Sequence, residues 1–477
     1  MVFRAIRTRA QSGVTFLSSD PAHSRAVLAA TILGSSLAFV DGSVVNVALP
    51  ALGSDLHAIP SVLPWVISAY LLPLGALILL GGGLGDHYGR RRLFLIGLAT
   101  FLLASIICAA APSLTYLLAG RWLQGFGAAL LMPNSLAILG SEFSGEARGR
   151  AIGTWAAVGA LAGALGPILG GWLVDSVGWR MIFLINVPLA LGAGYLAWKY
   201  VRERTESRNA APLDSSGAAL ATVALGLLTW SLTEASNSTG TSLMPWMAAI
   251  AGTALLGTFL LHEKRLADRA LMPLGMFAAP AFVGLTLLTF FLYGSLGGLL
   301  VLLPFFLIQI EHWSAVAAGA ALLPVPVVIA AGSRLMGRVA GRYGGRLPLS
   351  VGSGLVAVGL SLYSRVGAAA VSYWSDVLPP TLLVALGMGA CVAPLTTSVM
   401  ASVDTRHVGI ASGFNSAVAR IAGLIATALL GFVFARQGSA ESFVVGFHAA
   451  ALVGAGSAAA AAASVLLLLR TEPETVA

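Results

Sequence analysis

The fold is decided by Gly82-Gly83-Leu84-Gly85-Asp86-His87-Tyr88-Gly89-Arg90-Arg91-Arg92 and by its near-copy 255 positions later, Gly337-Arg338-Val339-Ala340-Gly341-Arg342-Tyr343-Gly344-Gly345-Arg346. Each stretch lies between two long apolar runs. A copy at a fixed offset predicts a repeated structural unit, and a short polar hinge between membrane-length helices predicts one such hinge in each half of a two-fold membrane protein. We therefore expect two related halves that meet near these hinges.

The composition identifies the bilayer as the surroundings of most of the chain. Of 477 residues, 57% are hydrophobic and 10% are charged, and the mean hydropathy is +0.89. Apolar segments of about 20 residues recur, each long enough to cross a hydrocarbon core of about 30 Å as a helix. An all-α polytopic membrane protein is therefore expected. Its fourteen predicted spans cover residues 26–49, 62–82, 93–111, 115–139, 151–174, 181–198, 215–233, 245–261, 281–305, 315–333, 347–364, 377–398, 409–435 and 444–469.

Basic residues predict the orientation, because cytoplasmic loops carry an excess of lysine and arginine. With the amino terminus inside, 22 of the 27 basic residues fall in inner segments, whereas only Arg180, Arg365 and Arg436 fall in outer segments. We therefore expect a multi-pass protein of the inner (plasma) membrane with both termini cytoplasmic. The net charge of +8 is spread over many short loops, which argues against a nucleic-acid partner.

The offset between the two copies also predicts the domain organisation. The basic residues near the amino terminus are reminiscent of a signal peptide, but the apolar stretch that follows is too long, so a retained first helix is expected. The predicted units are a cytoplasmic tail (1–24), a six-helix bundle (25–200), a cytoplasmic linker (201–213), two inserted helices (214–270), a second six-helix bundle (271–470) and a second tail (471–477).

Two ionisable residues at similar depth are the leading candidates for a functional site. Asp41 lies in the outer half of the first span and Arg121 lies near the outer end of the fourth, so the two side chains can meet. A buried ion pair can simply fix helix register, but intramembrane carboxylates usually mark proton or substrate pathways. Burial disfavours a charged carboxylate and a nearby guanidinium favours it, so small movements can load or unload a proton. Asp41 and Arg121 are therefore predicted to couple function to protons.

Further polar residues inside the spans are expected to line a substrate cavity. Arg420 is the deep charge of the second half, and a bond to the carbonyls of a neighbouring broken helix explains it as well as contact with a substrate does. The small residues from Gly409 to Ala419 permit close approach of another helix. The predicted cavity residues are Asn46, Gln124, Asn415 and Arg420.

The fifth span contains a run of small residues from Gly159 to Gly171, interrupted by Pro167. Small residues let another helix pack closely, and a proline removes one backbone donor and kinks the helix. Ordinary close packing and a role in gating are compatible interpretations of this run.

Other chemistries lack the residues that they need. The two lysines, Lys199 and Lys264, do not complete the Gly-Lys-Ser/Thr of a P-loop, which excludes an ATP-driven pump in this chain. Cys108 and Cys391 fall in apolar runs and are expected to pack there. The sequence contains no evident metal-ligand cluster and no nucleophile with a base at useful spacing. We therefore expect neither a metal nor a cofactor, and an enzyme or receptor is the weaker hypothesis.

Over essentially its whole length the sequence resembles the major facilitator superfamily, in particular its fourteen-helix branch of drug:proton antiporters. The stretch from Gly82 to Arg92 is similar to the loop motif of that superfamily, although His87 replaces the usual basic residue. The stretch from Arg121 to Ala129 resembles the span-four motif, whose arginine is implicated in proton transfer. The stretch from Asp41 to Pro50 resembles the span-one signature of the branch, with Ser43 in place of the commoner threonine.

A fourth motif, Gly166-Pro167 followed by Gly170-Gly171, resembles the span-five motif associated with antiporters, with Ala162 where a glycine is usual. The resemblance implies a major facilitator fold of two six-helix bundles plus two inserted helices. It also implies that the loop motif is a latch at the inner gate, in which Asp86 caps or pairs with the second half. The gating residues that the resemblance implies are Gly82, Asp86, Gly89, Arg90, Arg91, Gly166, Pro167, Gly170 and Gly171.

The predicted function is proton-coupled export of hydrophobic or cationic drug-like small molecules by alternating access. Protonation of Asp41, coupled electrostatically to Arg121, would bias the rocking of the two halves. A single deep carboxylate favours neutral or monocationic substrates over dications. The expected partners are the small-molecule substrate, protons and the bilayer; the proton gradient takes the place of a cofactor, and a monomer is the working expectation. A proton-coupled importer of a small-molecule nutrient is the alternative, because a fold does not fix function.

Overall fold

The computed structural model describes residues 21–143, 145–203, 214–237, 242–266, 274–367, 371–404, 408–434 and 440–469. Within these ranges the chain is helical and contains no strand. Fourteen helical segments are long and apolar enough to cross a membrane, which confirms the predicted number of spans. Most of the predicted linker and both predicted tails lie outside the described ranges, except that residues 21–24 already belong to the first helix.

The first six spans consist of seven helices because the sixth span is broken. Its break falls at Ile185, where Pro188 lacks the N–H that would bond to the carbonyl of Leu184. The sequence predicted one continuous helix at this position. The helices are α1 (Pro21–Asp55), α2 (Pro64–Tyr88), α3 (Arg90–Ala109), α4 (Leu114–Glu142), α5 (Gly145–Ser176), α6 (Met181–Leu184) and α7 (Asn186–Tyr200).

Two inserted helices come next, and eight helices then form the last six spans. The tenth span is broken before Pro324, a position that suits the first turn of a new helix because its missing N–H needs no partner there. The helices are α8 (Ser215–Asn237), α9 (Met244–Leu266), α10 (Pro280–Gln309), α11 (Ala315–Ala321), α12 (Pro324–Tyr343), α13 (Arg346–Leu362), α14 (Leu378–Ala401), α15 (Val408–Leu429), α16 (Gly431–Phe434) and α17 (Ala440–Leu468).

The two hinges are shorter than the sequence suggested. Helix α2 continues to Tyr88 and α12 continues to Tyr343, so most of each glycine-rich stretch is helical. The chain turns at Gly89 (φ 103°) and Gly344 (φ 78°), a backbone region that is open to glycine and strained for other residues. The prediction of a loop over the whole stretch was wrong, because glycine there also serves helix packing: a Cβ added at Gly85 would overlap the side-chain amide of Asn134 on α4.

The two halves repeat the same contact after each turn. Arg91 donates to the backbone carbonyl of Trp198 at the end of α7 (2.6 Å), and Arg346, 255 positions later, donates to that of Leu466 near the end of α17 (2.7 Å). In each half, therefore, the arginine two residues after the hinge glycine binds the last helix of the same bundle. This correspondence supports the internal repeat that the sequence predicted.

The connections of the first half gather at two opposite ends. At one end Arg180, after α5, forms an ion pair with Asp55 at the end of α1 (2.7 Å). At the other end Glu203, after α7, accepts the backbone N–H of Arg92 at the start of α3 (3.0 Å). We call these the predicted outer end and the predicted cytoplasmic end. The alternation is the one expected of helices that cross the bilayer in succession.

The halves meet along a few helix pairs. Helix α15 packs against α2, α11 against α5, and α10 against α1, while the inserted helix α8 contacts α2 as well as α15. Large apolar side chains such as Trp246, Ile250, Leu261 and Leu467 are exposed, as expected for surfaces that face lipid. The interior between the halves is therefore built mainly by α1, α2, α5, α10, α11 and α15.

Candidate functional site

The predicted meeting of Asp41 and Arg121 is present in the structure. Asp41, on α1, is 0% exposed, and the guanidinium of Arg121, on α4, is 1% exposed and donates directly to its carboxylate. Both residues lie within apolar spans, where an unpaired charge costs several kcal/mol. The two residues therefore form a buried ion pair inside the first bundle.

Three further side chains complete a closed network around the carboxylate. Gln124 and Asn186 both donate to Oδ1 of Asp41, at 3.2 and 3.3 Å. The same two amides also approach the hydroxyl of Ser105, on α3, at 2.9 and 3.3 Å. Four spans thus contribute to the site, and the carboxylate accepts from donors on α4 and on one further helix, α7.

Arg121 makes further contacts through its Nε and Nη1 atoms and through the face of its guanidinium. Its Nε donates to the backbone carbonyl of Val66 (2.9 Å) and its Nη1 to Oε1 of Gln124 (2.9 Å). Its guanidinium lies 4.5 Å from the ring centre of Tyr70, on α2, which gives a cation–π contact. Tyr70 is buried, and its hydroxyl donates to the carbonyl of Ala38 on α1 (3.1 Å). Tyr70 thus forms one wall of the site.

In this arrangement the negative charge of Asp41 and the positive charge of Arg121 balance each other. With Asp41 ionised, the pair is neutral and each group keeps its hydrogen bonds. If a movement of α1 against α4 withdrew Arg121, a buried carboxylate would be left without its counter-charge, and proton uptake is the least costly way to remove that charge. The geometry therefore makes the charge balance around Asp41 depend on the relative position of α1 and α4.

Sequence reasoning found Arg121 and Gln124, two of the three residues that bond to the carboxylate, but missed the rest of the network. Tyr70, Ser105 and Asn186 were not assigned to the site. Asn186 could have been assigned from the sequence, because a side-chain amide in an apolar span needs a buried hydrogen-bond partner. Tyr70 and Ser105 carried none, because both helices are apolar on every side and their sequences do not reveal which face points inward.

The four predicted cavity residues do not come together. Gln124 is buried within the network described above. Asn46 is 5% exposed and its side-chain oxygen has no hydrogen-bond partner in the described part of the chain. Asn415 accepts a hydrogen bond from Thr289 of α10 (2.6 Å), within the second half. Arg420 lies on α15 where that helix meets α2: a Cβ added at Gly75 would be 3.5 Å from its Cβ.

The gating residues of the loop motif contact their own half. Arg90 donates to the carbonyl of Ala137 on α4 (3.4 Å), Arg91 reaches α7, and Gly89 makes the turn between α2 and α3. The side chain of Asp86 lies outside the described part of the structure. The latch to the second half that the resemblance implies therefore stays a prediction.

The glycines of the span-five motif pack on two neighbours. Gly166 and Gly170 face α1, where an added Cβ would lie 3.2 Å and 2.8 Å from the carbonyls of Val40 and Val44. Gly171 faces the other half, where an added Cβ would lie 2.6 Å from the backbone N of Val316 on α11. A Cβ on Gly319 of α11 would in turn lie 3.2 Å from the backbone after Pro167. Only glycine permits these backbone contacts, which join the halves near the predicted outer end.

A carboxylate reinforces the same junction. Asp175, at the end of α5, accepts the backbone N–H groups of Ala315 (3.3 Å) and Val316 (3.0 Å) at the start of α11. Ser314, the residue before α11, accepts the next N–H, that of Ala317 (3.2 Å). The first N–H groups of a helix have no partner inside it, so a side chain from the other half supplies part of this cap. Sequence reasoning did not single out Asp175.

A separate apolar cavity of about 480 Å³ lies in the second half and opens to its surface, where Leu429, Phe432 and Val453 are exposed. It is lined by α10, α13, α15 and α17, through residues such as Gly298, Leu360, Ala426 and Gly454. None of the predicted substrate residues lines it, and it lies on a different face of α15 from Arg420. The cavity is therefore distinct from the site around Asp41.

Three further residues inside the spans, one histidine and two cysteines, have a local structural role. His448 accepts or donates a hydrogen bond at the carbonyl of Val366 (2.7 Å) within the second half. Cys108 and Cys391 are both buried and unpaired by any disulfide. These findings leave the pair of Asp41 and Arg121 as the charged site at depth in the first half.

Comparison with known proteins identifies the family of this chain. The sequence pattern of the Major Facilitator Superfamily matches residues 31–427. The chain belongs to this superfamily. It is accordingly a membrane transporter rather than an enzyme.

Several relatives are proteins of drug resistance and efflux. The multidrug resistance protein Stp of Mycobacterium tuberculosis is 35% identical over 415 residues, which cover 86% of this chain and 75% of that protein. The drug efflux pump JefA of the same species is 33% identical, with coverages of 86% and 80%. The puromycin resistance protein pur8 of Streptomyces alboniger is 35% identical, with coverages of 83% and 79%.

Proposed function

We propose that this member of the superfamily exports drug-like small molecules in exchange for protons, by alternating access. The direction and the class of substrate are supported by the relatives, whose names describe drug resistance and efflux. The single observation that carries the coupling is the buried ion pair of Asp41 and Arg121 in a network with Gln124 and Asn186. A titratable group so enclosed is expected to exchange protons only when its helices move.

In the proposed cycle, the state with ionised Asp41 accepts substrate from the cytoplasmic side. The junction of α5 with α11 keeps the outer end closed in this state, because backbones in contact through Gly171 and Gly319 leave no space for a passage. After the halves rock and the substrate leaves, a proton from outside neutralises Asp41 and releases Arg121 from its counter-charge. The neutral site then favours return to the first state, and the proton is lost to the cytoplasm.

We further propose a plasma-membrane location with both termini cytoplasmic, protons and the substrate as partners, and a monomer as the working unit. The orientation rests on the distribution of lysine and arginine. Import of a nutrient by the same fold is the rival, and the direction of substrate movement under an imposed proton gradient separates the two.

The deciding experiment compares the wild type with Asp41→Asn in proteoliposomes. Asparagine keeps the shape of the side chain but cannot titrate, so we expect substrate binding to persist and gradient-driven efflux to fall to the level of empty liposomes. Asp55→Asn is the matched control, since Asp55 lies on the same helix but is exposed and paired with Arg180 at the predicted outer end. Undiminished gradient-driven efflux by Asp41→Asn would remove the role proposed for Asp41.

A panel of puromycin, ethidium and neutral dyes, added to everted vesicles that contain a pH-sensitive dye, gives the direction of exchange. Substrate-induced release of protons from the vesicle interior is the result expected of an antiporter. Uptake of substrate together with protons would instead identify the importer.

A further inference from the structure

The two arginines at depth differ in how their charges are satisfied. Arg121 has an ion pair, two further hydrogen bonds and an aromatic ring. Arg420 makes no hydrogen bond and no ion pair with any residue in the described ranges, although it is half-buried. A guanidinium carries five donors and stays charged at any physiological pH, so Arg420 is expected to bind a partner outside the described contacts.

Arg420 lies between the halves and not on the lipid-facing surface. Its Cβ would contact a Cβ placed at Gly75 of α2, as would the side chain of the next residue, Ile421 (3.7 Å). One turn further on, Gly423 faces Leu71 of α2 at 3.9 Å. Tyr70, whose ring stacks on Arg121, is an electrostatic neighbour of Arg420 as well. Arg420 therefore lies near Tyr70, where α15 meets α2.

Its depth makes water at the membrane surface a poor partner. Arg420 is near the middle of the span Ile410–Phe434, about 15 Å from the start of that span at a rise of about 1.5 Å per residue. Buried or intramembrane charges are rare unless they are paired or face a water-filled cavity. A counter-charge at this depth has to come from the chain or from a ligand.

The stretches of α2 and of the second half that lie nearest in depth to Arg420 offer no carboxylate. The sequence has neither aspartate nor glutamate in residues 64–85 of α2, or in the stretches 280–309, 315–333, 378–401 and 410–434 of the second half. Asp41 is the acidic residue at depth in the first half, and it is already occupied by Arg121. With the ion pair counted as neutral, the charge of this region sums to that of Arg420 alone, which is positive.

We propose that Arg420 is the anchor for the substrate and that it takes a carboxylate or a comparable acidic oxygen on an otherwise apolar molecule. This inference rests on the proposed export function and specifies its substrate class. The planar guanidinium matches a carboxylate with two parallel hydrogen bonds. Next to it, the partly buried Leu71 of α2 and Ile421 of α15 supply apolar surface that suits the body of such a molecule. An organic cation meets repulsion in the same place.

The test uses three dansyl compounds that share one fluorophore and differ in charge: dansylglycine (acid), dansylglycinamide (neutral) and dansylcadaverine (cation). The dissociation constants are measured by fluorescence titration of the purified full chain in lipid nanodiscs. The acid is expected to bind at least about tenfold more tightly than the amide, which is the effect of one charge-assisted contact. The cation is expected to bind most weakly.

The variants then locate the preference. Arg420→Gln should bind the acid and the amide equally. Arg420→Lys should retain part of the preference for the acid, because lysine keeps the positive charge but not the planar guanidinium that binds a carboxylate with two hydrogen bonds. Arg338→Gln, an exposed arginine on α12, is the matched control for loss of one positive charge and should behave as the wild type does. Size-exclusion profiles and melting temperatures establish that each variant is folded.

Equal binding of the three compounds by the wild type would overturn the inference, and so would an acid preference that survives in Arg420→Gln. A failure of this kind is distinct from failure of the proposed function, because gradient-driven efflux of puromycin or ethidium is measured separately. Efflux without any preference for acids would refute the anchor alone, whereas absence of proton-coupled efflux for every compound would refute the function.

Discussion

Gln124 is the residue that joins the two charged partners of the site. Its amide donates to Asp41 and Ser105, while its oxygen accepts from Arg121 and from the thiol of Cys108. It therefore reports how much the network depends on hydrogen bonds beyond the ion pair itself.

We predict that Gln124→Leu lowers the free energy of unfolding by about 1–3 kcal/mol, because leucine fills the space but leaves buried polar groups without partners. The measurement is the thermal midpoint of the purified protein, followed by gradient-driven efflux, which should slow. Cys108→Ala is the control: it removes only the weak thiol contact and should change both quantities little. A variant Gln124→Leu as stable and as active as the wild type would show that the ion pair needs no support from this amide.

The sequence predicted the pair of Asp41 and Arg121 because depth along a span follows from residue counting. It did not predict Tyr70 or Ser105, since contacts across helices depend on helix rotation. In soluble proteins an apolar stripe fixes that rotation, but α2 and α3 are apolar on all sides and give no stripe. The role of Arg420 was left open for the same reason.

At the scale of helices, α5 and α11 form the junction near the predicted outer end. Asp175 caps the start of α11 from the other half, and glycines on both helices bring their backbones together. The cap is a bond between the halves, so removing it should weaken closure without disturbing either bundle.

We predict that Asp175→Ala increases opening at the predicted outer end roughly fivefold, as expected for the loss of about 1 kcal/mol of hydrogen bonding. The reporter is Ala318→Cys on α11, at a position that is 0% exposed, so that its thiol should react with a membrane-impermeant maleimide only when the junction opens. The natural cysteines are buried and should stay silent.

Asp376→Ala is the matched control for this experiment, because Asp376 accepts the backbone N–H of Ser372 within the second half only (2.8 Å). In that background, labelling of the Ala318→Cys reporter should not change. Equal labelling rates in the Asp175→Ala and wild-type backgrounds would mean that glycine packing alone closes this end.

The number of spans was predictable and their internal breaks were not. Apolar length sets how many times a chain crosses the bilayer, so fourteen runs gave fourteen spans. The breaks at Ile185 and before Pro324 depend on which carbonyls lose a donor to proline and still find other partners, which composition does not reveal. The helical course of Gly82 to Tyr88 was missed because glycine there serves packing against α4, not chain reversal.

At the scale of the whole molecule, the inserted helix α8 touches both halves. It packs against α2 on one side and against α15 and α16 on the other. Leu225 of α8 shares an apolar cluster with Leu72 of α2 and Leu424 of α15, and Gly226 faces Leu72 (3.6 Å). The insertion therefore covers the line along which the halves must move if they rock.

If the halves move relative to each other, α8 can move with one half or with the other but not with both. We predict that a cross-link between Leu72→Cys and Gly226→Cys, which ties α8 to the first half, leaves efflux largely intact. A cross-link between Leu225→Cys and Leu424→Cys, which ties it to the second half, should do the same. Both cross-links together should stop efflux, because they fix the two halves to one rigid helix.

Efflux is measured before and after reduction in a background in which Cys108 and Cys391 are replaced by alanine, so that recovery on reduction excludes misfolding. Full efflux with both cross-links in place would mean that the halves do not move past each other along α2 and α15, and the rocking cycle would then need another axis.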